Sequence, residues 1–190
     1  MRRTRQLLQG ALCTLLQKKS FDEVSVQDIT EAATVNRATF YDHYTDKFSL
    51  LDALVGSGFH QLIDERAVRY EGNCRSAAQG IIRAACDYVT ASREKYLIHQ
   101  SAFQPLVDAA IISAIRRVLL EGMAKSSAKT SPSAEMIATA ASGAIYGAVK
   151  EWSQASHRAK VEKIVPQIQQ LVLPLLEQAA MATESASMRH

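Results

Sequence analysis

The amino-acid sequence predicts an all-α protein of about nine helices. Three observations predict this. Apolar residues recur at the three-to-four spacing of helices along nearly the whole chain, and no stretch shows the apolar/polar alternation of a half-buried strand. No segment repeats another. With 8 Gly and 4 Pro in 190 residues and 47% apolar side chains, the composition is that of a globular chain able to bury a sizeable core.

The elements follow in order. Leu7, Leu8, Ala11, Leu12, Leu15 and Leu16 lie on one stripe of a first helix over residues 4–19. The connection that follows offers Phe21 and Val24 to close the end of a small core. Ser25 caps a second helix running to about Ala33, and Asp28, three residues on, completes a reciprocal box and complements the helix dipole. After Thr34 and Val35, Asn36 caps a third, short helix over 37–44, with Val35 and Phe40 at the positions of a hydrophobic staple. Thr45 or Asp46 caps a fourth, in which Phe48, Leu51, Val55, Phe59, Leu62 and Ile63 keep the helical period to roughly Arg69. Gly56 and Gly58 weaken its middle.

Glu71-Gly72-Asn73 breaks the pattern, and Ser76 with Gln79 forms a capping box for a helix ending near Ser92, which leaves Cys74 in a loop. A short helix and a longer one are expected between Arg93 and Lys125, divided at Pro105. Residues 125–133 form the longest loop. Ser131 as N-cap and Pro132 at the first helical position open a helix to about Ser156. The last helix spans 159–182, with kinks expected at Pro166 and Pro174. The expected domains are 1–47 and 48–182, with 183–190 a disordered tail.

Several function classes are disfavoured. A net charge of +3 is too mild to imply a polyanionic partner by composition alone, and residues 2–55 carry seven basic and seven acidic side chains. Any case for nucleic acid therefore rests on placement. Cys13, Cys74 and Cys86 form no CxxC pair, and His60, His99 and His157 show no ligand spacing, so neither a disulfide framework nor a metal is expected. No phosphate loop, nucleophile elbow or catalytic carboxylate pair is present, so neither an enzyme nor a cofactor is expected. With no signal-peptide core and no apolar run of the roughly 20 residues a bilayer requires, a cytoplasmic protein off the membrane is expected.

Two short helices joined by a tight turn, with a helix before and after, are what a DNA-reading helix-turn-helix requires; its second helix enters the major groove. At 100° per residue, Phe40 and Tyr44 share one side of the third helix, opposite Ala38, Thr39 and Asp42. Small side chains there allow close approach. Thr39 can contact a base or a thymine methyl, and Arg37 can reach guanine or phosphate. Tyr41 and His43 flank this face within reach of sugar-phosphate oxygens, Lys47 adds charge at the start of the fourth helix, and Arg2, Arg3 and Arg5 can follow the backbone as an arm.

The run Ser25-Val26-Gln27-Asp28-Ile29-Thr30-Glu31-Ala32-Ala33-Thr34-Val35-Asn36-Arg37-Ala38-Thr39-Phe40-Tyr41-Asp42-His43-Tyr44-Thr45-Asp46-Lys47 resembles the signature of the tetracycline-repressor (TetR) family, and the likeness covers about residues 3–55. Its specificity lies in the combination of Thr39-Phe40-Tyr41-x-His43-Tyr44, the Lys47 that follows, and the upstream Val26-x-Asp28-Ile29. Two positions depart from the family pattern: Thr34 stands where Gly is usual in the turn, and Ala38 where Gly or another small residue is common. Thr34 must adopt a conformation that Gly reaches more cheaply.

The resemblance implies a homeodomain-like, three-helix helix-turn-helix head in front of a larger C-terminal helical bundle, with DNA contacts from Ser25, Gln27, Asn36, Arg37, Ala38, Thr39, Tyr41, His43 and Lys47. It implies a double-stranded, roughly palindromic operator, a homodimer made by the last two helices, and release by a small-molecule effector. Ala140, Ala141, Gly143, Ala144, Gly147 and Ala148 independently provide small residues for close helix approach. Tyr88, Tyr96, His99, Phe103 and Trp152 are the candidate effector-pocket residues, set against the plainer reading of aromatics as core. The competing class is a helical interaction or scaffold module that retains a vestigial head.

Overall fold

The structure is a computed structural model that describes residues 2–66, 74–95, 104–123 and 132–187. Among the described residues it contains eight α-helices, one 3-10 turn and no strand. They are α1 (Arg2–Leu16), the 3-10 turn (Phe21–Glu23), α2 (Val26–Ala33), α3 (Arg37–Tyr41), α4 (Lys47–Glu65), α5 (Cys74–Lys95), α6 (Gln104–Met123), α7 (Ala134–Gln154) and α8 (Val161–Ser187). The chain forms two compact units, one of Met1–Gly58 with Thr90–Ile111 and the other of Phe59–Val89 with Ile112–His190.

In the first unit α1 packs on α2 and α2 on α3. The apolar stripe of α1 is buried at Leu8, Ala11, Leu12 and Leu16, and Phe21 and Val24 close the core as their spacing predicts. Ile29, Ala33, Phe40, Tyr44, Leu50, Leu51 and Val55 complete it. Leu7 stays largely exposed, since it lies at the edge of the stripe.

The turn between α2 and α3 is a Schellman motif. The Val35 amide donates to the Thr30 carbonyl at 3.0 Å and the Thr34 amide to the Glu31 carbonyl at 3.1 Å. Such a motif needs one left-handed residue, and Thr34 supplies it at φ 55°, ψ 45°. A β-branched residue is strained there. Thr34→Gly is therefore expected to raise stability by about 1 kcal/mol, the relief of strain exceeding the extra entropy of an unfolded glycine. Urea denaturation measures it, and a loss of stability would refute the assignment of strain.

In the second unit α7 packs along α8, and Ile81, Ile82, Ala85, Ile115, Leu119, Ile145, Val149, Ile168, Val172 and Leu176 are among its buried residues. Polar ties join the helices. Arg83 Nη2 donates to Glu162 Oε1 at 2.8 Å, Gln169 Nε2 to the Arg75 carbonyl at 2.6 Å, and Arg66 pairs with Asp87. His60 Nε2 lies 3.2 Å from Glu121 Oε2.

Several boundaries differ from the sequence reading. Helix α5 begins at Cys74, so Ser76 and Gln79 lie within it rather than at its N-terminal cap, and Cys74 is helical rather than in a loop. Helix α7 is capped by Ser133, whose Oγ accepts the Met136 amide at 3.3 Å, so Pro132 precedes the cap instead of occupying the first turn. Pro105 lies in the first turn of α6, where its missing N–H costs nothing, and residues 96–103, most of the stretch expected to form a short helix between Arg93 and Pro105, lie outside the described residues. Helix α8 continues through Pro166 and Pro174 to Ser187, so 183–187 are helical where a frayed tail was expected. Helix α3 is formally three residues shorter than 37–44, but the Tyr44 amide still donates to the Phe40 carbonyl at 2.9 Å and carries the last turn forward.

Candidate nucleic-acid interface

The head holds α3 by its apolar side. Phe40 is fully buried, with its ring 5.4 Å from Tyr41 and 6.0 Å from Tyr44 between centroids. Tyr44 is buried as well, and its hydroxyl receives a hydrogen bond from Gln9 Nε2 of α1 at 3.3 Å. On the opposite side Ala38 and Asp42 are exposed and Thr39 is half-buried, while Arg37 and Tyr41, the latter at 47%, are exposed on the flank. The face that sequence spacing marks for a groove is thus open to solvent at Ala38 and Asp42 and partly so at Thr39.

The candidate contact residues do three different jobs. Ser25 and Asn36 are caps. Ser25 Oγ donates to Asp28 Oδ2 at 2.7 Å and accepts the Asp28 amide at 3.1 Å, which commits its only hydroxyl hydrogen to the start of α2. Asp28 Oδ2 also accepts the Ser25 amide at 2.7 Å and pairs with Lys19 at 3.0 Å. Asn36 Oδ1 accepts both the amide of Thr39 at 2.7 Å and its hydroxyl at 2.9 Å.

The second group points into solvent. Arg37 Nη2 donates to the Tyr41 hydroxyl at 3.2 Å and its guanidinium lies 5.6 Å from that ring, so the i, i+4 pair lies along the exposed side of α3. The Tyr41 hydroxyl keeps its own hydrogen as a donor. Gln27, exposed on α2, donates one amide hydrogen to Glu31 at 2.9 Å. His43 is half-buried at the end of α3, and Arg3 and Arg5 are exposed on α1.

Lys47 is the third case. Its ammonium donates to the carbonyls of Phe21 at 3.0 Å, Asp22 at 3.3 Å and Val24 at 2.8 Å, and lies 4.8 Å from the Phe21 ring and 5.7 Å from that of Phe48. An ammonium has three hydrogens, so these carbonyls can take all of them. Burial lowers its pKa, against the opposing pull of Asp22 and Asp28. The sequence places Lys47 beside phosphate; the structure places it as a clamp between the start of α4 and the α1–α2 connection. No local signal gives this role, because the carbonyls are more than twenty residues away in sequence.

Asp28 supplies a pH signature. Its hydrogen bonds from the Ser25 side chain and backbone, followed by Lys19, hold its pKa down to about 2. A carboxyl whose pKa is lower folded than unfolded adds stability that is complete above its ordinary value near 3.8 and is lost as pH falls from there through about 2. Asp28→Asn is expected to flatten the acid limb of thermal stability in that window. Parallel acid limbs for the two proteins would contradict it.

The effector-pocket candidates are less well joined. Trp152 is buried, with Nε1 donating to the Ala159 carbonyl at 2.7 Å and the Arg158 guanidinium 5.3 Å from its ring, so it anchors the connection between α7 and α8. Tyr88 is half-buried, edge-on to Phe59 at 6.2 Å. Tyr96, His99 and Phe103 lie outside the described residues. The Cys86 thiol is buried and its pKa is pushed up to about 11, which leaves it unreactive. Among the described residues no group of three His, Cys, Asp or Glu is placed to hold a metal, and no helix is long and apolar enough to cross a membrane.

Comparison with known proteins locates the likeness in this head. The family described as bacterial regulatory proteins, tetR family, matches residues 9–54. An uncharacterised HTH-type transcriptional regulator of Bacillus subtilis (strain 168), YxbF, is 36% identical over 72 residues, 37% of this chain and 19% of that protein. The dhaKLM operon transcriptional activator DhaS of Lactococcus lactis subsp. lactis (strain IL1403) is 28% identical over 67 residues, 35% of this chain and 36% of that one. The matches thus span about a fifth and about a third of those relatives' own lengths. Among solved structures, the TetR family repressor AlkX from Dietzia sp. strain DQ12-45-1b superposes with a TM-score of 0.61 at 16% identity, over 92% of this chain and 95% of that one. RolR in complex with resorcinol gives 0.53 at 20% identity, over 94% and 93%. At these identities the two structures establish a shared fold.

Proposed function

We propose that this chain, whose residues 9–54 match the family described as bacterial regulatory proteins, tetR family, is a member of that family and a homodimeric, cytoplasmic transcriptional repressor, released from a palindromic operator by a small molecule. The observation that carries the proposal is the open side of α3, where Arg37, Ala38 and Tyr41 stand exposed while Phe40 and Tyr44 fix the helix from behind. Residues 1–47 act as the DNA-binding head and 48–182 as the body for effector binding and dimerisation.

The dimer is supported by α7 and α8. Ala140, Gly143, Ala144 and Gly147 are exposed along one side of α7, with Met136 at 64% exposure, and Leu171 of α8 is 69% exposed. A Cβ added at Gly143 or Gly147 meets nothing within 4 Å, so these glycines leave room for a second helix to approach closely. Two such heads address half-sites roughly 34 Å apart. The effector acts by changing the spacing of the heads through α4, which belongs to the first unit up to Gly58 and to the second from Phe59.

The test is fluorescence anisotropy of the full chain against fragments flanking its own gene, with Arg37→Ala and Tyr41→Phe in parallel. Sequence-selective binding by a dimer is expected, falling by about fivefold to 150-fold for Arg37→Ala as a base contact is lost. Binding equal for all duplexes, and unchanged by both substitutions, would favour the scaffold reading.

A further inference from the structure

We infer that Thr39 reads an exocyclic amino group in the major groove, that of adenine or cytosine; the inference rests on the DNA-binding reading above. The positions of the hydrogens decide what Thr39 can offer a base. The Thr39 backbone amide, 2.7 Å from the Asn36 side chain, can only donate, so the atom it meets is the amide oxygen. That fixes the orientation of the Asn36 amide group, with Oδ1 toward the first turn of α3 and Nδ2 as the remaining donor.

The same Oδ1 lies 2.9 Å from Thr39 Oγ1. An amide oxygen carries no hydrogen, so the threonine hydroxyl must be the donor and its single hydrogen is spent. What Thr39 retains for a partner is lone pairs and a methyl group. In the major groove the base donors are adenine N6 and cytosine N4, whereas guanine N7 and O6 and thymine O4 offer lone pairs alone. An acceptor-only hydroxyl pairs with the first set and is repelled by the second. To face a guanine or thymine oxygen as a donor, it must first give up a bond of near-ideal length. Arg37 and Tyr41, already paired with each other on the adjoining side, compete for neither atom of the Asn36–Thr39 pair.

The test is selection of bound duplexes from a randomised library by the full-length protein, as wild type, Thr39→Val and Thr39→Ser. Wild type and Thr39→Ser are expected to enrich A or C at one position of each half-site. Thr39→Val, isosteric but without the hydroxyl, loses the preference there alone and binds the selected site about twofold to tenfold more weakly, the effect of one neutral hydrogen bond. Amine-deleted bases are then scanned through the half-site with unaltered protein, purine for adenine and 2-pyrimidinone for cytosine. The base at which wild type weakens identifies the amine and distinguishes the two sources, whatever the variants' folding.

Three results overturn the inference alone: no amine-sensitive position, an unchanged base profile in Thr39→Val, or a thymine preference that survives in Thr39→Val and so belongs to the methyl group. Failure of the wild type to enrich any sequence overturns the DNA-binding reading as well.

Discussion

Phe40→Ala is expected to cost about 3–5 kcal/mol of stability in the head and to abolish sequence-selective DNA binding with it. A helix of five residues cannot hold itself together in water, because the cost of nucleation exceeds what so few hydrogen bonds return. Helix α3 therefore owes its order to the one aromatic ring it buries completely, set against Tyr44 and flanked by Tyr41. Removing the ring leaves a cavity in the core of the head, beside Tyr44. Phe40→Leu, which keeps most of the volume, should cost well under half as much. Chemical denaturation compares the three proteins, and an alanine variant within 1 kcal/mol of wild type would refute this account of what orders α3.

Lys47→Met is expected to cost about 1.5–3 kcal/mol in the absence of any DNA, the range for hydrogen bonds made by a charged donor. Methionine preserves the apolar stem against Phe21 and Phe48 but removes the ammonium hydrogens from the Phe21, Asp22 and Val24 carbonyls, of which that of Phe21 keeps the Val24 amide. Lys47→Arg should not restore the loss. A planar guanidinium spreads its hydrogens in a fixed fork, whereas the clamp requires one nitrogen to reach three oxygens. A residue whose role is phosphate contact behaves in the opposite way: stability is unchanged in methionine, binding is retained in arginine, and the salt dependence of binding falls by about one ion in methionine. Melting the unliganded variants and titrating salt with the bound ones separates the two roles.

The contrast between Phe40 and Lys47 shows how far the sequence could be read. Phe40, Tyr44 and the stripe of α1 were legible because burial on a helix repeats at a fixed interval, and the caps at Ser25 and Asn36 were legible because their partners lie three residues away. The strain at Thr34 was legible too, since a turn of that length needs a left-handed residue. The Lys47 clamp was not, because its partners are backbone carbonyls, which are the same in every sequence, and they are brought near only by the packing of the head. The Ser131–Pro132 start was misplaced for a related reason. Two serines flank Pro132, and local chemistry does not decide between them; the hydrogen bond from the Met136 amide to Ser133 does. In the C-terminal helices, Trp152 was a candidate for ligand contact by residue type, but its indole hydrogen is already given to Ala159.

Helix α4 runs without a break from Lys47, clamped beneath the head, to Glu65, and Gly56 and Gly58 lie inside it. Anyone exchanging heads between this protein and a relative must therefore conserve the phase of a screw. One residue added or removed between 47 and 65 turns the stretch of α4 beyond the cut by about 100° relative to the stretch before it.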